Sequence, residues 1–272
     1  MAADSKTKTT IIKLRNHKKA KEKTCLVTAY DYPQSLIADK AGVGAKDAFL
    51  IGDMPYMSYQ PSNQIAIENA GRFIVSGMDC VKVEGAMIDR VKAIANSGIM
   101  VMSHLGLTPH TRAKLGGYKV QGKTAKSAEI VLDQAKRLQD AGCSFLLLEA
   151  MPTEPAGMIA EELDIPVYGI GAGDRVDGQL VIMHDLVGLF WEFKSKFVKR
   201  YCEAGQMIQS ALEEYKNEVK SGEFPAKENF YEIKEEELDK LLGDSSWKYE
   251  TDRVENMAKP KHSVTPITTK RD

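Results

Sequence analysis

Short apolar runs, each closing on a polar residue or a glycine, recur along the chain and alternate with stretches of helical spacing. The runs are "TCLVTAYD" (24–31), "AFLIGDMP" (48–55), "CVKVEG" (80–85), "IMVMSHLG" (99–106), "FLLLEAMP" (145–152), "PVYGIGAG" (166–173) and "LVIMHD" (180–185). Between them lie helix candidates such as "NQIAIENAGRFIVSG", "MIDRVKAIANSG", "SAEIVLDQAKRLQDAG" and "PAGMIAEEL", several ending at glycine as helices tend to. Strands alternating with helices of this length predict βαβ units and a parallel sheet. Alternation alone leaves an open doubly wound sheet and a closed barrel both possible. Charged residues stand at the C-terminal ends of most runs rather than at one crevice, which suits a ring of βα loops around a shared mouth and favours the (β/α)8 TIM-barrel class.

Closure normally takes eight strands, and seven are counted. The join between the first two, "YPQSLIADKAGVGAKD", is one helix long and ends abruptly in glycines. An opening is therefore expected between the strands at 24–30 and 48–54, or its coverage by the N-terminal helix or another subunit. After "LVIMHDLVGLF" the pattern becomes an amphipathic helix, "KSKFVKRYCEAGQMIQSALEEYKNEVKSG", and then a polar stretch that reads as a short acidic helix and a disordered tail. The organisation expected is a basic N-terminal helix or arm (1–23), a barrel domain (24–225) and a charged, partly disordered extension (226–272).

Composition narrows the function classes. With 272 residues, 43% of them hydrophobic and 28% charged, the chain can bury one sizeable core. The formal net charge is -1, and "KLRNHKKAKEK" (13–23) is the one basic run, so no footprint for nucleic acid is present. Cys25, Cys80, Cys143 and Cys202 lie far apart with no C-x-x-C spacing, which suits a reducing compartment. The N-terminus has no signal-peptide apolar region and no window suits a membrane span, so a cytoplasmic protein is expected.

Candidate chemistry sits at the strand ends. Alternate strand residues share a face, so Lys82 and Glu84 point together, toward the mouth of a barrel. Asp53, His104 and Glu149 end their own runs, and His184 with Asp185 ends the last one. Gathering ionisable groups there is costly unless they meet a metal, a substrate or each other. Each also has a plainer reading: Lys82 and Glu84 as a rim ion pair, His104 as a packing histidine, "MHD" as a cap. A carboxylate directly after four apolar residues, as Glu149 is, sits in the low-dielectric surroundings that suit a base for carbon acids. Asp53 and Glu84 are hard oxygen donors, better matched to Mg²⁺ with retained waters than to zinc. "GIGAG" (169–173) lacks the dinucleotide-fold spacing, and "LGGYKVQGK" (115–123) reads as a lid or binding loop.

Taken in order, "TAYDY", "DMPYMSY", "VKVEG", "SHLGLTPH", "GGYKVQG", "LLLEAMP", "IPVYGIGAG", "DGQLVIMHDLVG" and "SGEFP" resemble ketopantoate hydroxymethyltransferases from about Thr24 to Pro225. The resemblance implies a (β/α)8 barrel assembled as a homo-oligomer, typically a decamer. It implies transfer of a hydroxymethyl group from 5,10-methylenetetrahydrofolate to 3-methyl-2-oxobutanoate, with Mg²⁺, in pantothenate synthesis. By motif, Asp53 resembles a metal-binding aspartate that also touches the oxo acid, Glu84 a further carboxylate of the metal site, Lys82 the substrate-holding lysine and Glu149 the proton-abstracting glutamate. His104 is a possible additional site residue.

The chain departs from the family after its first helix. Family members carry there a second strand ending in Gly-Asp-Ser, whose aspartate is the other direct metal ligand and whose serine contacts substrate. Here "ADKAGV" runs directly into "GAKDAFLIGDMP", so about one βα unit is missing. Two further readings therefore stand beside the active enzyme: an inactive paralogue serving as a binding or oligomer subunit, and a family member of which this sequence omits a segment. A neighbouring oxo-acid barrel of the phosphoenolpyruvate mutase and isocitrate lyase type is disfavoured by the string matches.

Overall fold

The structure, a computed structural model, describes residues 8–43 and 47–243. These form two compact units, one running through Glu203 and the other beginning at Ala204.

The first unit is built on seven parallel strands. They are β1 (Thr24–Val27), β2 (Ile51–Asp53), β3 (Cys80–Glu84), β4 (Met100–Gly106), β5 (Phe145–Glu149), β6 (Val167–Ile170) and β7 (Gly178–Val181). Their order is β1-β7-β6-β5-β4-β3-β2, so β1 and β2 are the two edges and do not pair. The sheet nevertheless curls. One apolar cluster contains Leu26 of β1 and Ile51 of β2 together with Met102, Phe145, Leu147 and Tyr168 from the strands between, which requires both edges to face a common interior. The seven strands and the opening expected from the sequence are both present: the fold is a TIM-type barrel with a seam between β1 and β2.

Alternation decides what each strand shows to either side. Val81, Val83, Val101, Leu146, Leu148 and Val167 point outward and are covered by helices. The covering helices are α3 (Asn63–Val75), α4 (Ile88–Asn96), α5 (Ala125–Asp140) and α6 (Thr153–Glu162). Ala66, Ala70, Ile94, Ala135, Leu138 and Ile159 form their inner faces. Three of these helices stop at a left-handed glycine: Gly77, Gly98 and Gly142 have φ of 98°, 85° and 94°.

The N-terminal helix α1 (Ile11–Ala20) closes the bottom of the ring. Its one buried residue, Leu14, joins the interior cluster. Lys18 Nζ reaches Asp177 Oδ2 (2.7 Å) and the Ala160 carbonyl (2.6 Å), just before β7. On the other side of the seam, the Thr9 amide donates to the Asp47 carbonyl at 2.7 Å and Lys8 pairs with Asp79 at 2.6 Å, next to β2 and β3. One short segment thus holds both edges at the floor. The helix α2 (Tyr32–Lys40) follows β1 and leaves Tyr32 and Ile37 exposed.

Two expectations need correcting. His184 and Asp185 do not end a strand: β7 stops at Val181, and both lie on the one-turn helix α7 (Met183–Leu186). The long amphipathic helix begins only at Ala204, as α8 (Ala204–Ser221), rather than at Lys194. Residues 194–200 carry four positive charges. Arg200 donates to the carbonyls of Phe190 and Phe193, and the Tyr201 amide donates to the Leu186 carbonyl. These anchors occupy groups that a continuous helix would need. In the second unit, α8 is followed by the acidic helix α9 (Glu235–Gly243), with the Tyr215 and Phe224 rings packed edge to face. The tail expected to be disordered lies outside the described residues.

Candidate active site

The same inward positions that are apolar at the floor become ionisable at the rim. On β3 they read Cys80, Lys82, Glu84; on β4, Met100, Met102, His104; on β5, Phe145, Leu147, Glu149. Parallel register puts Asp53 beside Lys82 and Glu84 beside His104, and sets Glu149 two residues further along, opposite Gly106.

All five candidates come together in one continuous line. Lys82 Nζ lies 2.9 Å from Asp53 Oδ1 and 3.6 Å from Glu84 Oε1. Glu84 Oε1 lies 3.9 Å from His104 Nδ1, and His104 Nε2 lies 3.1 Å from Glu149 Oε2. The line runs from solvent to interior: the Asp53 side chain is 62% exposed, Glu84 5% and Glu149 14%. Both ring nitrogens of His104 are shielded from water and neither has a well-aligned hydrogen bond, although one carboxylate oxygen is close. A buried imidazole in that state holds unspent hydrogen-bonding capacity.

Two residues not singled out from the sequence hold Glu84. The His110 amide donates to Glu84 Oε2 at 2.9 Å, and its ring Nδ1 is 3.7 Å from the same oxygen. The Glu84 amide donates to the Tyr59 hydroxyl at 3.0 Å, which also lies 3.3 Å from His110 Nδ1. Burial pushes the Tyr59 phenol up to about 12. His110 sits past a proline in the loop after β4, and Tyr59 sits before α3. Neither lies on a strand, so alternation cannot point to them; the second histidine of "SHLGLTPH" is the one available hint.

Glu149 has a marked backbone beside it. Ala150 follows with φ of 48°, a left-handed conformation rare for a residue with a side chain and often found at functional sites. Its amide donates to the Ile170 carbonyl and its carbonyl accepts from Gln121, so the turn after Glu149 is held from both sides. His184 and Asp185 stand elsewhere. His184 stacks on Tyr30 with 4.6 Å between centroids and lies 3.2 Å from Gln34 Nε2; burial raises the Asp185 carboxyl.

Three carboxylates face one ammonium along this line, an excess of negative charge that favours a further cation. Among the described residues no three His, Cys, Asp or Glu side chains converge as a metal group. Asp53 and Glu84 remain, two oxygen donors from adjacent strands. That set is too small for an all-protein cage, but it fits Mg²⁺, which commonly takes one or two carboxylates and fills its sphere with water and substrate oxygens.

Comparison with known proteins gives a consistent picture. The family described as ketopantoate hydroxymethyltransferase matches residues 43–227. The 3-methyl-2-oxobutanoate hydroxymethyltransferase of Syntrophobacter fumaroxidans is 40% identical over 264 residues, 83% of this chain and 94% of its own. That of Kosmotoga olearia is 41% identical over 252 residues, 79% of this chain and 94% of its own. Among solved structures, a phosphonopyruvate hydrolase superposes with a TM-score of 0.51 at 9% identity, covering 85% of this chain and 94% of that one. The same enzyme in complex with oxalate and Mg²⁺ gives 0.50 at 9% identity, covering 86% and 95%. At such identity these structures speak for the fold alone.

Proposed function

The chain belongs to the ketopantoate hydroxymethyltransferase family, and from that membership we propose that it transfers a hydroxymethyl group from 5,10-methylenetetrahydrofolate to 3-methyl-2-oxobutanoate, giving 2-dehydropantoate. The observation that carries this reading is the unbroken line Asp53, Lys82, Glu84, His104, Glu149 at the rim. Such a line can hold an organic anion, a cation and a base within a few ångströms of one another.

Lys82 binds the carboxylate of the oxo acid as a point charge. Asp53 and Glu84 would hold Mg²⁺, which when bound polarises the substrate carbonyl and so acidifies the neighbouring C–H. Glu149 accepts the proton from C3, a task that needs a carboxylate within hydrogen-bond reach in dry surroundings. His104 acts as a positioning residue, its Nε2 standing 3.1 Å from the Glu149 carboxylate. The His110 amide fixes the Glu84 carboxylate, and the Tyr59 hydroxyl holds the Glu84 backbone amide. The carbanionic C3 then bonds to the donor's one-carbon unit as that carbon leaves the folate nitrogens. Water supplies the hydroxyl, and the nitrogens take up the proton from C3 and one from the water. The oxo acid gains CH₂OH in place of hydrogen, and tetrahydrofolate departs.

The test is formation of 2-dehydropantoate from the two substrates with Mg²⁺, followed by chromatography. Product is expected, and its amount should fall when the metal is chelated. The seam between β1 and β2 favours a second reading, a binding subunit without turnover. A folded protein that makes no product under saturating substrates selects that reading and rejects the first.

A further inference from the structure

The seam between β1 and β2 is an unfinished piece of sheet. Alternate residues of a parallel strand bond to opposite sides. On the β7 side, the Thr24 and Thr28 amides donate to the Asp177 and Val181 carbonyls at 3.0 and 3.2 Å, which turns the backbone groups of Cys25 and Val27 toward the seam. Across from them the Met54 amide donates to the Lys82 carbonyl at 3.1 Å, which turns those of Ile51 and Asp53 the same way. Neither strand has a neighbour in the seam among the described residues. The N-terminal segment ties the two edges at the floor without joining the sheet, so the backbone above it stays open as a template for a further strand.

The outer layer is unfinished at the same place. Cys25, on the outward side of β1 beside inward Leu26, is exposed, and α2, which leads from β1 toward β2, leaves Leu36 and Ile37 in solvent. An open sheet edge beside an exposed apolar helix flank lacks one strand and one covering helix. The lengths of the relatives agree. The match to the Syntrophobacter fumaroxidans relative runs over 264 positions but takes up 83% of the 272 residues here, about 226, so about 38 positions of that relative stand opposite no residue of this chain. For the Kosmotoga olearia relative, 252 positions against 79% of this chain leave about 37. That length suits one strand, one helix and their loops, since a whole βαβ unit starts at roughly 30 residues. The family match begins at Val43, between α2 and β2, so it too breaks at the seam.

We infer that the seam is a docking site for a second polypeptide that supplies one strand followed by one amphipathic helix. The strand enters parallel between β1 and β2 and bonds to the backbones of Cys25, Val27, Ile51 and Asp53, while the helix packs on Leu36 and Ile37. The inward side chain nearest the floor is apolar, because it meets Leu26 and Ile51 of the interior cluster. The outward side chains are apolar as well, because the helix covers them, as in parallel strands buried on both faces. A second copy of this chain is a poorer occupant: among its described residues every strand already lies in its own sheet, and it offers only another open edge. The inference does not depend on the reaction proposed above and is read without activity.

The probe is a synthetic peptide with the sequence of the stretch of the Syntrophobacter fumaroxidans relative that has no counterpart here, added to the purified full chain. Fluorescence anisotropy of the labelled peptide should show saturable one-to-one binding, and a scrambled peptide should show none. Amide hydrogen exchange should slow at least about tenfold at Cys25, Val27, Ile51 and Asp53, while Thr24 and Thr28, already bonded, change little. Two variants locate the site. Val27→Pro removes one seam-facing donor and spares the β7 ladder, since proline is tolerated on the open side of an edge strand. Ile37→Asp puts a charge on the exposed flank of α2 without touching the core. Each should raise Kd about tenfold or more. No binding by the wild type, or equal binding by all three proteins, overturns the proposal. Self-association in sedimentation that Val27→Pro abolishes, with the peptide left unbound, overturns it in favour of a second copy.

Discussion

The floor and the rim of the barrel are built from the same strands and the same alternation, yet their chemistry is opposite. At the floor, Cys80, Met102, Phe145 and Leu147 pack with Leu14 of the N-terminal helix into a closed apolar cluster. Two to four residues further along, the inward positions are Lys82, Glu84, His104 and Glu149, joined by contacts of 2.9 to 3.9 Å that extend to Asp53. The difference teaches that stability and chemistry are stacked along each strand rather than assigned to different strands. Substitutions at the floor should change folding with little direct effect on reaction chemistry, and substitutions at the rim should act directly on the reaction.

The largest effect is expected from Lys82→Met, which strips the line of its only ammonium. Losing the ammonium that holds the substrate carboxylate costs about 2–5 kcal/mol, so kcat/KM should fall about 10²–10³-fold, and the melting temperature should fall too, because Glu84 is left buried without its cation. Steady-state kinetics beside a thermal scan checks both. Phe145→Ala is the opposite case. It should cost about 3–5 kcal/mol of stability through the lost burial and the cavity left behind, measured by urea titration. Activity per folded molecule should be nearly retained.

Leu14→Ala probes the staple across the seam and should cost about 2–3 kcal/mol, at the low end for a buried leucine because α1 can settle. A loss near zero would mean that the floor does not need its N-terminal cover.

The smallest effect concerns alkaline stability. The Tyr59 phenol is pushed up to about 12 in the folded protein, whereas an unfolded phenol titrates near 10. Between these values the unfolded chain has released the proton and the folded one keeps it, so stability present below pH 10 is lost as pH rises toward 12. Tyr168, Cys80 and Cys143 are shifted in the same direction by burial and share the slope. Tyr59→Phe should therefore flatten it without removing it, as read from urea midpoints between pH 9 and 11.

The rim was legible in the sequence because strand periodicity is strict: once "CVKVEG" is a strand, Lys82 and Glu84 must share a face, and the barrel decides which one. The seven strands found among the described residues were legible for the same reason, as a count of runs. His110 and Tyr59 were not, because they reach Glu84 from loops whose path no local pattern encodes. His184 fared differently: "LVIMHD" continues the apolar run past the last ladder pair, and one turn of helix takes over where β1 offers no further partner. Residues 194–203 have helical periodicity, but Arg200 donates to the carbonyls of Phe190 and Phe193, a tertiary outcome that periodicity cannot anticipate. The grouping of all five candidates follows from parallel register, since neighbouring strands bring like positions to one height.

The central claim is that the rim abstracts a proton from a carbon acid, with Glu149 as the base. Its most direct test is proton NMR of 3-methyl-2-oxobutanoate in D₂O with Mg²⁺ and no folate, comparing the wild type with Glu149→Gln. The account predicts loss of the C3–H signal with the wild type and none above background with the variant. Equal exchange by both proteins, or no exchange by a wild type that makes 2-dehydropantoate, would contradict it.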